Sequence, residues 1–140
     1  MENNYYLARE MIARHEGLSL KPYRCTAGKL TIGYGRNLDD RGISKNEAHV
    51  MMMNDMYASI KDLQSIFGKK FNSFPAKKQA ALIDMMFNLG KTRFSGFKNM
   101  IGAIERGDWQ ESAKQAQDSK WFSQVGDRGK EVYEILKEGA

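Results

Sequence analysis

The sequence has one cysteine, Cys25, in 140 residues. A single thiol forms no internal disulfide, so the fold must stand on its own core, and such usage fits a reducing compartment. Histidine is nearly as scarce. His15 and His49 stand apart, and with one cysteine they make no structural zinc set. No apolar run approaches the roughly 18–20 residues of a membrane span. Residues 1–14 mix charged and apolar side chains and lack the apolar core of an export signal, so a cytoplasmic protein with no stable membrane insertion is expected. No repeat, linker or low-complexity stretch breaks the chain, which has the length of one ordinary domain.

What is present is globular in profile: 41% hydrophobic and 28% charged residues. The net charge of +5, from 22 basic and 17 acidic residues, suits polyanions in general. Nucleic acid, anionic lipid and the carboxylate-bearing bacterial wall all qualify, and plain solubility explains the charge equally well. Lys and Arg are scattered over every predicted helix rather than gathered on one face, which argues against nucleic acid.

Helical periodicity dominates. Tyr5, Ala8, Met11, Ile12 and His15 recur at helical spacing over residues 4–15. Gly17 supplies a stop, which leaves Glu16 in the last turn or just past it. Leu30, Ile32 and Tyr34 then alternate with Thr31, Gly33 and Gly35, the period of a strand. Ala27-Gly28 and Asp40-Arg41-Gly42 look like the turns around it. A sheet of two or three strands is expected here, with one face so bare that something can approach its backbone closely. Ser44-Lys45-Asn46-Glu47 has the form of a capping box. The helix after it carries Ala48, Met52, Met56, Ile60, Leu63 and Phe67 along one stripe, read as adaptable core. Further helices are expected after Phe74-Pro75, stopped at Gly90; over Phe97 to Arg106, closed by Gly107; from Asp108; and from near Asp127, burying Val132, Ile135 and Leu136. Strands and helices are segregated, so the fold class is α+β: mostly helical, with a small antiparallel sheet near the N-terminus and a cleft between sheet and helical bundle. The expected plan for residues 1–140 is a sheet subdomain at about 18–43, a long helix at about 44–67, and a bundle formed by 1–16 and 68–140.

The chemistry concentrates between Glu16 and Gly35. Glu16 stands at a helix end, Cys25 nine residues later at the entry to the hairpin, and Thr31 six beyond that. A glycosidase needs a protonated acid beside the leaving oxygen, and an inverting one also needs a group across the ring to activate water, with carboxyl groups roughly 6.5–9.5 Å apart. A helix end facing a hairpin can supply such a gap, and the negative end of the helix dipole favours a protonated carboxyl. By spacing alone, a glutamate before a glycine stop is equally an ordinary helix end. His15 reads as packing or a surface histidine rather than a proton relay. Trp109 and Trp121 read as core rather than sugar platforms. Gly33-Tyr34-Gly35 lacks the lysine and following helix of a phosphate loop.

The runs His15-Glu16-Gly17-Leu18-Ser19-Leu20-Lys21-Pro22-Tyr23 and Leu30-Thr31-Ile32-Gly33-Tyr34-Gly35 resemble the active-site signature of the T-even phage lysozymes and their endolysin relatives, glycoside hydrolase family 24. The likeness continues in order through Ile43 to Ala48, Ala80 to Gly90, Phe97-Lys98-Asn99, Gly107-Asp108-Trp109, and Ser119 to Gly129. It implies a lysozyme-like fold and a monomeric muramidase without cofactor or metal. Such an enzyme inverts configuration as it cuts the β-1,4 bond between N-acetylmuramic acid and N-acetylglucosamine in peptidoglycan glycan strands. The implied setting is host cytoplasm until lysis, with a holin opening the way to the wall.

In that resemblance Glu16 falls on the catalytic acid, Thr31 on the threonine that helps hold the attacking water, and Arg128 on the arginine that orients the acid. Such an arginine would favour the ionised acid, against the helix-end effect, and the sequence leaves that balance open. Phe87 and Asn88 fall on the cleft wall that meets the sugar chain, and Asn37 near the sheet is a further candidate contact. Where the family usually has a second catalytic aspartate, this chain has Cys25. Three readings stay open: a thiolate acting as base or nucleophile, a neutral thiol positioning water, or a crippled site that leaves a wall-binding protein. Lytic transglycosylase chemistry is also open. Asp39 and Asp40, the nearest other carboxylates, read as turn residues.

Overall fold

Several helices of this chain start where a short polar side chain accepts the first free backbone N–H groups. Ser44 Oγ accepts from the Glu47 N–H at 3.1 Å while Glu47 Oε1 accepts from the Ser44 N–H at 2.8 Å, so the expected capping box forms in full. Asp108 accepts from the Glu111 N–H and Ser119 from the Phe122 N–H in the same way. The computed structural model describes residues 2–139, with side chains from residue 5 onward. Its order is α1 (Glu2–Glu16), β1 (Ser19–Arg24), β2 (Leu30–Gly33), β3 (Arg36–Asn37), α2 (Leu38–Arg41) and α3 (Lys45–Phe67), followed by α4 (Lys70–Ser73), α5 (Ala76–Leu89), α6 (Lys91–Ser95), α7 (Lys98–Glu105), α8 (Trp109–Gln117), α9 (Lys120–Val125) and α10 (Asp127–Lys137). The fold is the expected α+β one, mostly helical with one small antiparallel sheet. Among the described residues no helix is long and apolar enough to cross a membrane.

The chain divides into two compact units, Met1–Val50 and Met51–Ala140. The first holds α1 and the sheet, ordered β1-β2-β3 with both pairs antiparallel. Tyr23 lies opposite Thr31, and Thr31 opposite Asn37. The strand is shorter than its alternation suggested. It ends at Gly33, and Tyr34 and Gly35 form the hairpin turn to β3, with Gly33 and Gly35 at φ 71° and 73°. Gly33 still pairs with Ser19 as the last residue of the ladder, and both glycines reach positive φ without strain. Asp40-Arg41-Gly42 is not a plain turn either. Asn37 Oδ1 accepts from the Asp40 N–H at 2.9 Å and starts the short helix α2, which Gly42 ends.

The first unit has almost no interior. Among its described side chains only Thr31 is buried, at 4% exposure, while Tyr5, Leu7, Met11 and Ile12 of α1 are all about half exposed or more. Polar bonds therefore carry much of its order. Arg36 on β3 donates to both oxygens of Glu47, at 2.9 and 2.7 Å, and to the Gly42 carbonyl at 3.1 Å. This two-pronged guanidinium–carboxylate pair fixes orientation as well as distance.

The second unit has the core. Leu63, Phe67, Phe71, Leu82, Met85, Met86, Phe94, Met100, Ile104, Trp121, Val132 and Leu136 form one buried cluster. Each such side chain contributes about 1.5–3 kcal/mol by leaving water. The stripe along α3 joins this core only in its second half. Leu63 and Phe67 are buried, whereas Met52 is half exposed. Trp121 is core as expected, and Trp109 is partly buried against Phe74, ring centroids 5.0 Å apart. Helices α4 and α6 are each too short to show a helical period in the sequence. Lys78 is buried, with Nζ donating to the carbonyls of Ile135, Leu136 and Glu138 at 2.7–3.1 Å, so a lysine closes the free end of α10.

The Arg36 fork and the Ser44 bonds hold the Glu47 carboxyl at about 2, against an ordinary 4.5. The fold thus favours the ionised form. That stabilisation is complete above pH 4.5 and is lost as pH falls toward 2. Glu47→Gln should therefore melt below the wild type at pH 7, with the gap closing between pH 4.5 and 2 in thermal scans followed by circular dichroism. A gap that stays constant down to pH 2 would contradict this role.

Candidate active site

α1 runs until Gly17, whose N–H donates to the Ala13 carbonyl at 2.9 Å and whose φ of 71° turns the chain away. Glu16 is thus the last residue of the helix. Its side chain lies over Gly35 in the hairpin turn. A Cβ placed on Gly35 would clash with the carboxylate and come within 2.7 Å of its Cδ. The close approach to the backbone falls at Gly35, in the hairpin turn rather than on a strand face. The other described carboxylates of this unit are engaged. Glu10 is 3.6 Å from Arg9, and Asp39 accepts from the Leu30 N–H at 2.8 Å with Arg24 at 3.9 Å. Asp40 accepts from Asn37 and Lys29, and Glu47 from Arg36. Among the described residues Glu16 alone in this unit has no hydrogen-bond or ionic partner for its carboxylate, and it is exposed.

Cys25 sits at the far end of β2. Its N–H donates to the Lys29 carbonyl and its carbonyl accepts from the Gly28 N–H, so residues 25–29 form a tight loop. The thiol is partly exposed. Hydrogen bonds from the backbone at Lys29 and Ala27, and then from the Thr31 side chain, stabilise its anion and pull it below the ordinary thiol range. Thr31 Oγ1 also donates to the Lys29 carbonyl at 2.9 Å. Its one proton serves either that carbonyl or the sulfur, so the hydroxyl can turn as Cys25 gains or loses charge. The structure brings Cys25 and Thr31 together and puts Glu16 at the opposite end of the same strand. From Thr31 to Gly35 is four residues, at most about 13 Å at strand rise.

Asn37 faces Thr31 across the ladder, but its amide is engaged at both ends by Asp40, as cap and as donor to Oδ2 at 2.9 Å. Asp39 and Asp40 are the structural carboxylates the sequence suggested. His15 is exposed and makes no hydrogen bond or ion pair among the described residues.

In the second unit, Phe87 is 41% exposed and lines a groove of about 400 Å³ with Met52, Met56, Ala80, Ile83, Asp84 and Arg128. Asn88 turns elsewhere: its Oδ1 accepts from Trp121 Nε1 at 2.8 Å. Neighbours on a helix point about 100° apart, whereas Asp84 and Phe87, three apart, share a face. Arg128 is gripped by Asp84. Nε donates to Oδ2 at 2.8 Å and Nη2 to Oδ1 at 3.0 Å and to the Asp84 carbonyl at 3.2 Å. Sequence reading missed Asp84, and its place one helical turn before Phe87 was the available signal. It also missed Gly35 as the seat of Glu16.

The phage lysozyme family model matches residues 13–138. The chain is 26% identical to a probable T4-type lysozyme 2 of Dictyostelium discoideum, over 94% of each chain. It is 27% identical to the pre-baseplate central spike protein Gp5 of Enterobacteria phage T4, over 93% of this chain and 27% of that protein. It is 29% identical to an endolysin of Acyrthosiphon pisum secondary endosymbiont phage 1, over 79% and 74%. With a match that spans Glu16, the sheet and all the helices of the second unit, this chain belongs to the phage lysozyme family and is an enzyme of the lysozyme type.

Proposed function

We propose that this protein is an inverting muramidase that hydrolyses the β-1,4 bond between N-acetylmuramic acid and N-acetylglucosamine in peptidoglycan. One observation carries the reading. Glu16 is a carboxylate without a partner, seated on a glycine at one end of a strand whose other end holds a thiol inclined to ionise. Glu16 gives its proton to the glycosidic oxygen as the bond to the anomeric carbon breaks. Water attacks that carbon from the opposite face and passes its proton to the Cys25 thiolate. Thr31, buried behind the thiol, acts on the water through Cys25. Phe87 offers a face for a sugar ring. Asn37 and Asn88 keep at most a minor share, since each already has a protein partner. The role that fits is lysis of a bacterial host at the end of phage infection, with a holin giving access to the wall.

Reducing-end release from purified peptidoglycan tests the acid. Glu16→Gln should lose about 10²–10⁴-fold in rate, the usual share of a general acid. An unchanged rate would remove Glu16 from the mechanism. Anhydro ends in place of reducing ends would mean a transglycosylase, and wall binding without cleavage a binding protein.

A Cys25 series tests the base. Cys25→Asp should stay active, with the acidic limb of the pH profile moved to lower pH because a carboxyl ionises earlier. Cys25→Ser and Cys25→Ala should both fail. Full activity in Cys25→Ser would replace the base with a group that only positions water.

Gly35→Ala tests the seat. The added methyl displaces the Glu16 carboxyl, and a misplacement of about 1 Å costs on the order of 10²-fold in rate. Loss of kcat with the fold retained by circular dichroism is expected. Wild-type kcat in that variant would show that the contact does not matter.

A further inference from the structure

The second unit has another cavity, of about 760 Å³, that shares no lining residue with the groove beside Phe87. Three helices bring one cation each to it: Arg93 from α6, Lys98 from α7 and Lys120 from α9. All three are exposed, and none forms an ion pair or a side-chain hydrogen bond among the described residues. Asp118 is the one acidic residue in the lining, so the cavity carries excess positive charge. Gathering unpaired like charges costs energy that water and salt only partly screen, and a bound anion recovers it. The first turn of α7 adds to the same potential. Lys98, Asn99 and Met100 all line the cavity, and the N-cap residue Phe97 offers their amides no side-chain hydrogen bond.

The distribution of these groups selects the kind of anion. A carboxylate has its acceptors in one plane and suits a single guanidinium fork. Here the donors stand on three separate helices. A phosphodiester carries its charge on a tetrahedral centre, with oxygens that face more than one direction. None of the three cations is buried, so each contact is solvated and weak. Weak contacts suit a chain of repeated charges, where several act together. Phe97 and Trp121 in the same lining give the uncharged carbon segments of such a chain an apolar surface to cover. The volume is well within the range of ligand sites and larger than one phosphate needs.

We propose that Arg93, Lys98 and Lys120 form a docking site for the phosphodiester chain of an anionic cell-envelope polymer, a polyol phosphate, and that this site tethers the enzyme without taking part in cleavage. This goes beyond the muramidase reading and rests on it only for the setting in which the polymer is met. The three positions are far apart in the sequence, so the cluster exists only in the folded helical unit.

Titration calorimetry of the full chain with a defined oligomer of glycerol phosphate tests the site, with a neutral polyglycerol of the same length as control. The phosphate oligomer should bind and the neutral one should not. Three contacts to a flexible polyanion give log Ka a slope of about −2 against log salt, on the order of tenfold between about 50 and 200 mM. Arg93→Gln, Lys98→Gln and Lys120→Gln should each weaken binding about two- to fivefold, the range of an exposed ion pair, and the triple variant should lose it. Melts followed by circular dichroism should match the parent, since all three side chains are exposed. Reducing-end release from peptidoglycan stripped of such polymers should stay at the parent's rate in the triple variant. Absence of binding by the parent at low salt, undiminished binding by the triple variant, or slower release from stripped peptidoglycan overturns the site. Equal affinity for a glutamate oligomer or a single-stranded oligonucleotide of the same charge also overturns it, and marks an acidic peptide or a nucleic acid as the partner. Failure of the muramidase reading shows elsewhere, as absence of reducing-end release by the parent, and leaves the calorimetric result standing.

Discussion

A carboxylate without a partner is hard to keep next to folded backbone. Most acidic groups in the first unit find an amide, a lysine or an arginine, and Glu16 is held apart from all of them by the surface it rests on. That surface is Gly35, which has no side chain and whose φ of 73° makes any other residue strained. The contact sets the rest of the site. It places the end of α1 against the hairpin turn, so the carboxyl lies at one end of β2 and the Cys25–Thr31 pair at the other. The length of one short strand separates the two ends.

The unit that carries this contact has little hydrophobic interior. Its one buried described side chain, Thr31, is polar and serves the thiol. Its order comes from directional bonds instead: the Arg36–Glu47 fork, the Asn37 cap on α2 and the Asp39 bond to the Leu30 amide. Such bonds fix geometry within tenths of an ångström but contribute modest net stability, because water competes for each partner. Catalytic groups gain from the first property and tolerate the second. The helical unit has the opposite balance. A single apolar cluster supplies its stability, and polar detail is confined to a few places such as the Lys78 closure of α10 and the Asp84 grip on Arg128.

The cysteine of the first unit is held by the same kind of directional bond. A thiol ionises less readily than a carboxyl, and here backbone hydrogen bonds at Lys29 and Ala27, with a smaller share from the Thr31 hydroxyl, pull the Cys25 thiol below its ordinary range. The pull is built into the backbone of a tight loop rather than borrowed from a nearby charge.

Much was legible in the sequence because it depends on neighbours along the chain. Helical period, glycine stops and the Ser44–Glu47 box placed α1, α3, α5, α7, α8 and α10. The spacing of Glu16, Cys25 and Thr31, within a run resembling the lysozyme signature, pointed to the chemistry. What the sequence could not hold were relations between residues far apart in it. Gly35 looked like part of a strand until the turn put it under Glu16. Asn88 and Asn37 looked open until Trp121 and Asp40 engaged them. Asp84 looked like one more surface acid until Arg128, 44 positions away, closed on it. Local sequence determines which elements form, since capping and periodicity act within a turn or two. Which polar groups remain unpaired, and so are free to react or bind, is decided only when the chain folds and each donor and acceptor meets its partner or fails to.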